Sequence, residues 1–163
     1  MTQPKPSSRE MQTRQAVGET KTLKVYKVNS MNAYFNRHNP HLQALLKFYI
    51  ESASSIPVDE NWYYFLVYMD HKLVAYATTF DEFQRVPKAP VTISQVLVLP
   101  PYQQYGIGSA LVEKIYKHYL STTKCKLMVV EDPADDFQRM KDVLDIKMIL
   151  SAGFFRSIIN CGL

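Results

Sequence analysis

The sequence predicts an α/β (α+β) fold around one mixed central sheet, and three observations predict it. The apolar run ISQVLVL (Ile93–Leu99) leads through a glycine loop and a stretch of helical period into a second apolar run, KLMVV (Lys126–Val130). Strand, helix, strand in that order is a right-handed crossover with parallel strands. Upstream, WYYFLVYM (Trp62–Met69) and LVAYATTF (Leu73–Phe80) flank a short polar Asp70-His71-Lys72 and read as an antiparallel hairpin. Finally, 163 residues with 47% apolar content suffice for one buried core.

The elements follow in order. Residues 1–22 are polar, hold two prolines and read as a disordered arm, leaving 23–163 as one domain. LKVYKV (Leu23–Val28) alternates as a first strand does, and Asn29-Ser30 ends it. HLQALLKFYIESA spaces Leu42, Leu45, Leu46, Tyr49 and Ala53 as a helix over residues 41–53, and Pro57, Asp59 and Asn61 mark a loop. After the hairpin, Asp81–Pro90 reads as a surface loop. Ile93–Leu99 is nearly continuous in apolar residues, which favours burial on both faces, and Pro100-Pro101 stops it. From about Ser109 a helix carries Leu111, Val112, Ile115, Tyr119 and Leu120 on one stripe. Asp132-Pro133 has the form of a helix N-cap with Pro in the first turn; that helix runs to about Leu150, and Gly153-Phe154-Phe155 turns into a last short strand.

Bulk properties exclude several functions. A formal charge of +4 suits a modest polyanionic ligand and is too small to argue for nucleic acid. The two cysteines, Cys125 and Cys161, have no metal spacing and read as buried thiols in a reducing compartment. No apolar stretch approaches the ~20 residues of a membrane span. The N-terminus lacks the apolar core of a secretory signal. A soluble, intracellular protein is expected.

Two of the chain's five glycines, Gly106 and Gly108, fall in PPYQQYGIGSALV (residues 100–112). Glycines let main-chain N–H groups reach an anion, and a helix start adds partial positive charge. A tight strand-to-helix turn would use them equally well. The spacing fits neither a Walker loop, which needs GxxxxGK[ST], nor a dinucleotide fingerprint, since position 111 is Leu.

The loop Gln103-Gln104-Tyr105-Gly106-Ile107-Gly108 resembles the Gln/Arg-x-x-Gly-x-Gly/Ala loop of the GNAT acetyltransferases. More narrowly, ISQVLVLPPYQQYGIGSALVEKIYKHY, KVYKV, FYIESASSIPVDENWYYFLVY and VEDPADDFQRMKD resemble the catalytic subunit of type B histone acetyltransferases, from about Leu23 to about Asp142. The resemblance implies a GNAT-type mixed sheet with a βαβ core that binds acetyl-CoA as co-substrate, without a metal. It implies that the backbone of Val96, Leu97 and Val98 pairs with the pantetheine arm and offers an N–H to the thioester oxygen. It places Gln103, Gln104, Tyr105, Gly106, Ile107, Gly108 and Ser109 around the diphosphate, with Lys141 as a further phosphate contact.

A lysine amine, with a pKa of ~10.4, is protonated at neutral pH, so direct attack on a thioester needs a general base. By resemblance the carboxylates of Glu131, Asp132 and Glu51 are the candidates. Glu131, after an apolar strand and beside Asp132, is expected to have the crowding and burial such a base uses, and is preferred. Period alone turns Glu51 to solvent, and Asp132 has its capping role. Both strands of the crossover should finish on one sheet edge, putting glycine loop and carboxylates in one cleft. His38, His41, His71 and His118 sit at helix or turn positions unsuited to a base, and Tyr76 or Tyr105 could protonate the leaving thiolate.

Six of the fifteen acids lie between Glu131 and Asp145, an acidic mouth for a Lys-rich peptide or a solvated helix face. The resemblance implies a free core-histone tail, that of histone four, as the partner, leaves room for a histone chaperone subunit, and places the protein in cytoplasm or nucleus. It also implies a larger N-terminal domain and a C-terminal helical segment, where this chain has residues 1–22 and stops at Leu163. A GNAT enzyme for another protein or a small amine, and a non-catalytic acyl-CoA-binding module, are the alternatives.

Overall fold

A computed structural model of the chain describes residues 8–14, 20–50, 53–82, 86, 89–122 and 127–151. Met1–Glu131 forms one compact unit and Asp132–Leu163 a second. In the first, strands β1 (Ser8–Arg14), β2 (Thr20–Asn29), β3 (Trp62–Met69), β4 (Lys72–Asp81), β5 (Val91–Val98) and β6 (Met128–Val130) form one six-stranded sheet in sequence order. Neighbours are antiparallel through β5, and only β5–β6 is parallel.

Helix α1 (Ala33–Tyr49) covers one face and α2 (Ile107–Thr122) the other. On the α1 face Leu42 and Leu46 pack with Ile56, Tyr64, Leu66, Tyr76 and Leu97. Toward α2, Leu111, Val112, Ile115 and Tyr119 are fully buried, and Tyr119 Oη hydrogen-bonds Thr79 Oγ1 of β4 at 2.8 Å. Each such side chain contributes about 1.5–3 kcal/mol of transfer free energy. Leu120, assigned to the same stripe from its spacing, is exposed; Tyr116 takes the buried position instead.

The hairpin forms as expected, with a tighter turn. Trp62 pairs with Phe80 and Met69 with Lys72, leaving a two-residue connection. Asp70 (φ 48°) and His71 (φ 63°) both sit in the left-handed region, the pattern of a type I′ turn.

Several expectations need correction. Residues 1–22, expected as a disordered arm, contain β1, with Ser8 opposite Tyr26 and Arg14 opposite Thr20. Main-chain pairing holds such an edge strand, and a polar sequence leaves no hydrophobic alternation to reveal it. Helix α1 begins at Ala33, not near residue 41: Asn32 caps it by accepting from Phe35 N at 2.9 Å, and Pro40 lies inside. It ends at Tyr49, with Ile50 as C-cap. Strand β5 buries side chains on both faces, though not at every position: Ile93 lies opposite Thr79, which bonds Tyr119 of α2, Leu97 packs in the α1-side core, and the residues between the buried ones are half-buried. The short strand expected at residues 153–155 and both cysteines lie outside the described residues.

A half-buried cation offers a test of the packing. Lys27 Nζ lies 3.9 Å from the centroid of the Tyr63 ring and 2.9 Å from His118 Nε2. Burial brings its ammonium down from 10.5 to about 8, with the charge of Asp81 opposing. Between those two values the unfolded chain still holds a proton the folded chain has lost, so this residue makes stability rise with pH through that window. Lys27→Met should flatten that rise in urea denaturation followed from pH 8 to pH 10.5; an unchanged slope would count against the buried setting.

Candidate functional site

The site is built on an irregularity of β5. Thr79 pairs with Ile93 but Thr78 with Gln95, which leaves Ser94 as an extra residue, a β-bulge. Before the bulge, Val91 N donates to Leu127 O and Ile93 O accepts from Glu131 N, both at 3.0 Å, so the main chain of these odd residues faces β6. Beyond it, Leu99 N donates to Val74 O of β4 at 2.9 Å. The parity has switched. By alternation the main chain of Leu97 now turns to β4, and that of Val96 and Val98 to the side where β6 lies.

β6 does not extend that far. Its ladder with β5 covers only Val91–Ile93 opposite Met128–Val130, while β5 runs on to Val98. Along the stretch from Ser94 to Val98, about 13 Å at ~3.3 Å per residue, no strand among the described residues pairs with this edge, which is open to an added strand in that sense. On this edge the Val98 carbonyl accepts from Gln103 Nε2 at 2.8 Å. Of the three residues expected to offer main-chain groups, Val96 and Val98 face the opening and Leu97 does not.

At the far end of β5, Pro100–Tyr102 makes a single 3-10 turn before the glycine loop. Gln104 (φ 67°) and Gly106 (φ 77°) are left-handed. A Cβ at Gly106 would meet nothing within 4 Å, so the backbone angle, not crowding by the protein, accounts for this glycine. Ala110 N donates to Gly106 O at 3.0 Å as the first bond of α2. The amides of Ile107, Gly108 and Ser109 precede that bond and have no acceptor within the helix. Ile107 anchors the turn with a buried side chain, whereas Gln103, Gln104, Tyr105 and Gly106 are exposed.

Glu131 ends the first unit. Its amide is fixed to Ile93, and its Oε2 accepts from Ser94 Oγ at 2.6 Å. The carboxylate stands beside the middle of β5, level with the bulge, and not beside the glycine loop as expected from two strands ending together. The short β6 is the reason. Glu131 is also exposed, not buried, so the structure supplies fixed geometry where crowding was expected. Nothing in the sequence singled out Ser94; the one available signal was the polar pair Ser94-Gln95 inside an apolar run. Gln95 is buried, its Nε2 donating to Ser54 O at 2.8 Å, and it ties β5 to the segment after α1.

The other assigned residues fall elsewhere. Glu51 lies outside the described residues. In the second unit, α3 (Asp135–Ser151) takes its first hydrogen bond from Gln138 N to Ala134 O, so Ala134 holds the cap position and Asp132 does not. Asp132 has φ 39° and is exposed. Lys141 Nζ pairs with Asp145 Oδ2 at 2.6 Å on the same helix. Asp136 is paired with Arg139, and Asp142 accepts from Gln138. The helix thus engages several of its acids itself, the behaviour of a solvated face.

Tyr76 cannot deliver a proton to this edge as placed. It belongs to the α1-side core, almost fully buried, with no hydrogen-bond partner for its hydroxyl among the described residues, and burial pushes that hydroxyl well above the usual tyrosine range. An unpaired buried hydroxyl is costly. Tyr76→Phe should therefore raise stability by about 1 kcal/mol in denaturant titration; a loss of that size would reveal a partner. Among the described residues, no group of three or more His, Cys, Asp or Glu could hold a metal ion, and no helix is long and apolar enough to cross a membrane.

The model of the acetyltransferase (GNAT) family matches residues 29–140. The type B histone acetyltransferase catalytic subunit of Rattus norvegicus is 30% identical over 140 residues, which cover 80% of this chain and 33% of that protein. Its namesake in Candida glabrata is 34% identical over 144 residues, covering 80% and 37%. The chain thus spans about a third of the length of these relatives. Among solved structures, an aminoglycoside N-acetyltransferase in complex with CoA superposes with a TM-score of 0.51 at 15% identity, over 84% of this chain and 90% of that one.

Proposed function

Since this chain belongs to the GNAT family of acetyltransferases, we propose that it transfers an acetyl group from acetyl-CoA to a lysine of a free core-histone tail, with Glu131 as general base. The observation that carries this reading is the edge of β5 left without a partner strand among the described residues, which has helix-start amides without an intrahelical acceptor at one end and a hydrogen-bonded carboxylate at the other. An extended arm containing amides suits such an edge as an added strand.

In this reading the main chain of Val96 and Val98 pairs with the pantetheine arm. The amides of Ile107, Gly108 and Ser109 hold the diphosphate at the start of α2, in the loop begun by Gln103, Gln104 and Tyr105. Val96 N–H is the donor for the thioester oxygen. Glu131 takes a proton from the substrate ammonium. The freed amine attacks the thioester carbon, the C–N bond forms and the C–S bond breaks. The amine's second proton goes to solvent, and the departing thiolate takes one up. The histone tail rests on the names of the relatives, and histone four as its member is this proposal's own choice. A histone chaperone subunit as presenting partner, and the cytoplasm or nucleus as compartment, belong to the same proposal.

Incubation with acetyl-CoA and a histone-four tail peptide should add one acetyl mass to a lysine, read by mass spectrometry. Acetyl-CoA binding without tail product, beside acetylation of a small polyamine, would overturn the histone assignment. No calorimetric heat with coenzyme A would remove the acetyl transfer altogether.

A further inference from the structure

We propose that Ser94 is the positioning residue of the general base, and that the bulge of β5 exists to deliver it. The inference rests on the reading of Glu131 given above and deepens it. The bulge inserts Ser94 where the β5–β6 ladder ends. One inserted residue switches the parity of the strand, which turns Val96 and Val98 to the open edge. The same residue supplies the hydroxyl that holds Glu131 Oε2 at 2.6 Å.

Glu131 is therefore held twice by successive residues of one strand: its amide by the Ile93 carbonyl at 3.0 Å, its carboxylate by Ser94. An exposed glutamate otherwise samples many rotamers, and ordering them costs entropy. With Oε2 engaged, Oε1 is left for the incoming ammonium. Because Ser94 also begins the open stretch, the carboxylate is fixed at the level where an acyl group laid along Val96 must end. A small misplacement of a catalytic group costs rate heavily.

The test combines three variants. Ser94→Ala should lower kcat for tail acetylation about tenfold, leaving KM for acetyl-CoA within about twofold, because the hydroxyl acts on the base and not on the coenzyme. Ser94→Thr keeps a hydroxyl on Cβ and should recover most of the loss. Added to Glu131→Gln, Ser94→Ala should cost nothing further, since a residue acting through another is silent once that other is gone. An equal loss in both backgrounds would overturn the proposal, as would full turnover in Ser94→Ala beside a crippled Glu131→Gln. Full turnover in Glu131→Gln itself would remove the general-base reading, and the role of Ser94 with it. Calorimetric binding of coenzyme A by each variant reports that the fold is kept.

Discussion

If Glu131 is the base proposed above, Glu131→Gln should leave the protein folded and able to bind acetyl-CoA, while turnover on a histone-tail peptide should fall about 10²–10⁴-fold at neutral pH. The substitution conserves shape and can still accept from Ser94 Oγ, so geometry is preserved and only the capacity to take a proton is removed. Because Glu131 is exposed and its amide hydrogen bond to Ile93 is main-chain, the stability cost should be small. Activity should return partly at high pH, where the lysine approaches its pKa of ~10.4 and sheds its proton to water unaided. Steady-state rates across pH check this beside coenzyme A calorimetry. Undiminished turnover at neutral pH would remove Glu131 from the mechanism. Loss of coenzyme binding together with turnover would recast it as a structural residue.

What could be read from the sequence was whatever depends on local pattern. The hairpin declared itself through two aromatic and β-branched runs around a polar turn, and the left-handed Asp70 and His71 are that turn's geometry. The order of β5, loop, α2 and β6 followed from period and punctuation, and so did the parallel pairing of β5 with β6. The misses share a cause, because each depends on pairing between distant residues. β1 is polar and rests on its register with β2. The first turns of α1 hide behind Pro40, which reads as a break until tertiary packing of Gln43 against Tyr64, 2.6 Å apart, is seen. No periodicity announces that Ser94 is an extra residue, for a bulge exists only relative to a partner strand. Without the bulge the alternation along β5 runs unbroken, and it would turn Leu97, not Val96, to the open edge. The acidic stretch is a further case: composition counts the charges of α3 but cannot show that Asp136, Asp142 and Asp145 find partners one turn away.

The parity switch leads to the other large effect. In the proposed reaction, proline at position 96 removes the N–H assigned to the thioester oxygen. It breaks no bond with β4, since Val96 faces Ala77 across a pair that exchanges no ladder hydrogen bonds. Proline is tolerated on a strand edge whose N–H side is open. Val96→Pro should therefore fold and keep much of its affinity for coenzyme A through the amides of Ile107, Gly108 and Ser109. Its turnover should fall about 10²–10³-fold, the usual effect of deleting one oxyanion donor. Leu97→Pro, one residue further, is the control. There the lost N–H is a ladder donor to β4 and a buried leucine goes with it, so destabilisation of several kcal/mol should precede any kinetic effect. Thermal melts and turnover measured on both variants separate the two positions. If Val96→Pro unfolds and Leu97→Pro does not, the alternation beyond Ser94 is the reverse of the one argued, and the donor to the acyl oxygen must be sought at Leu97.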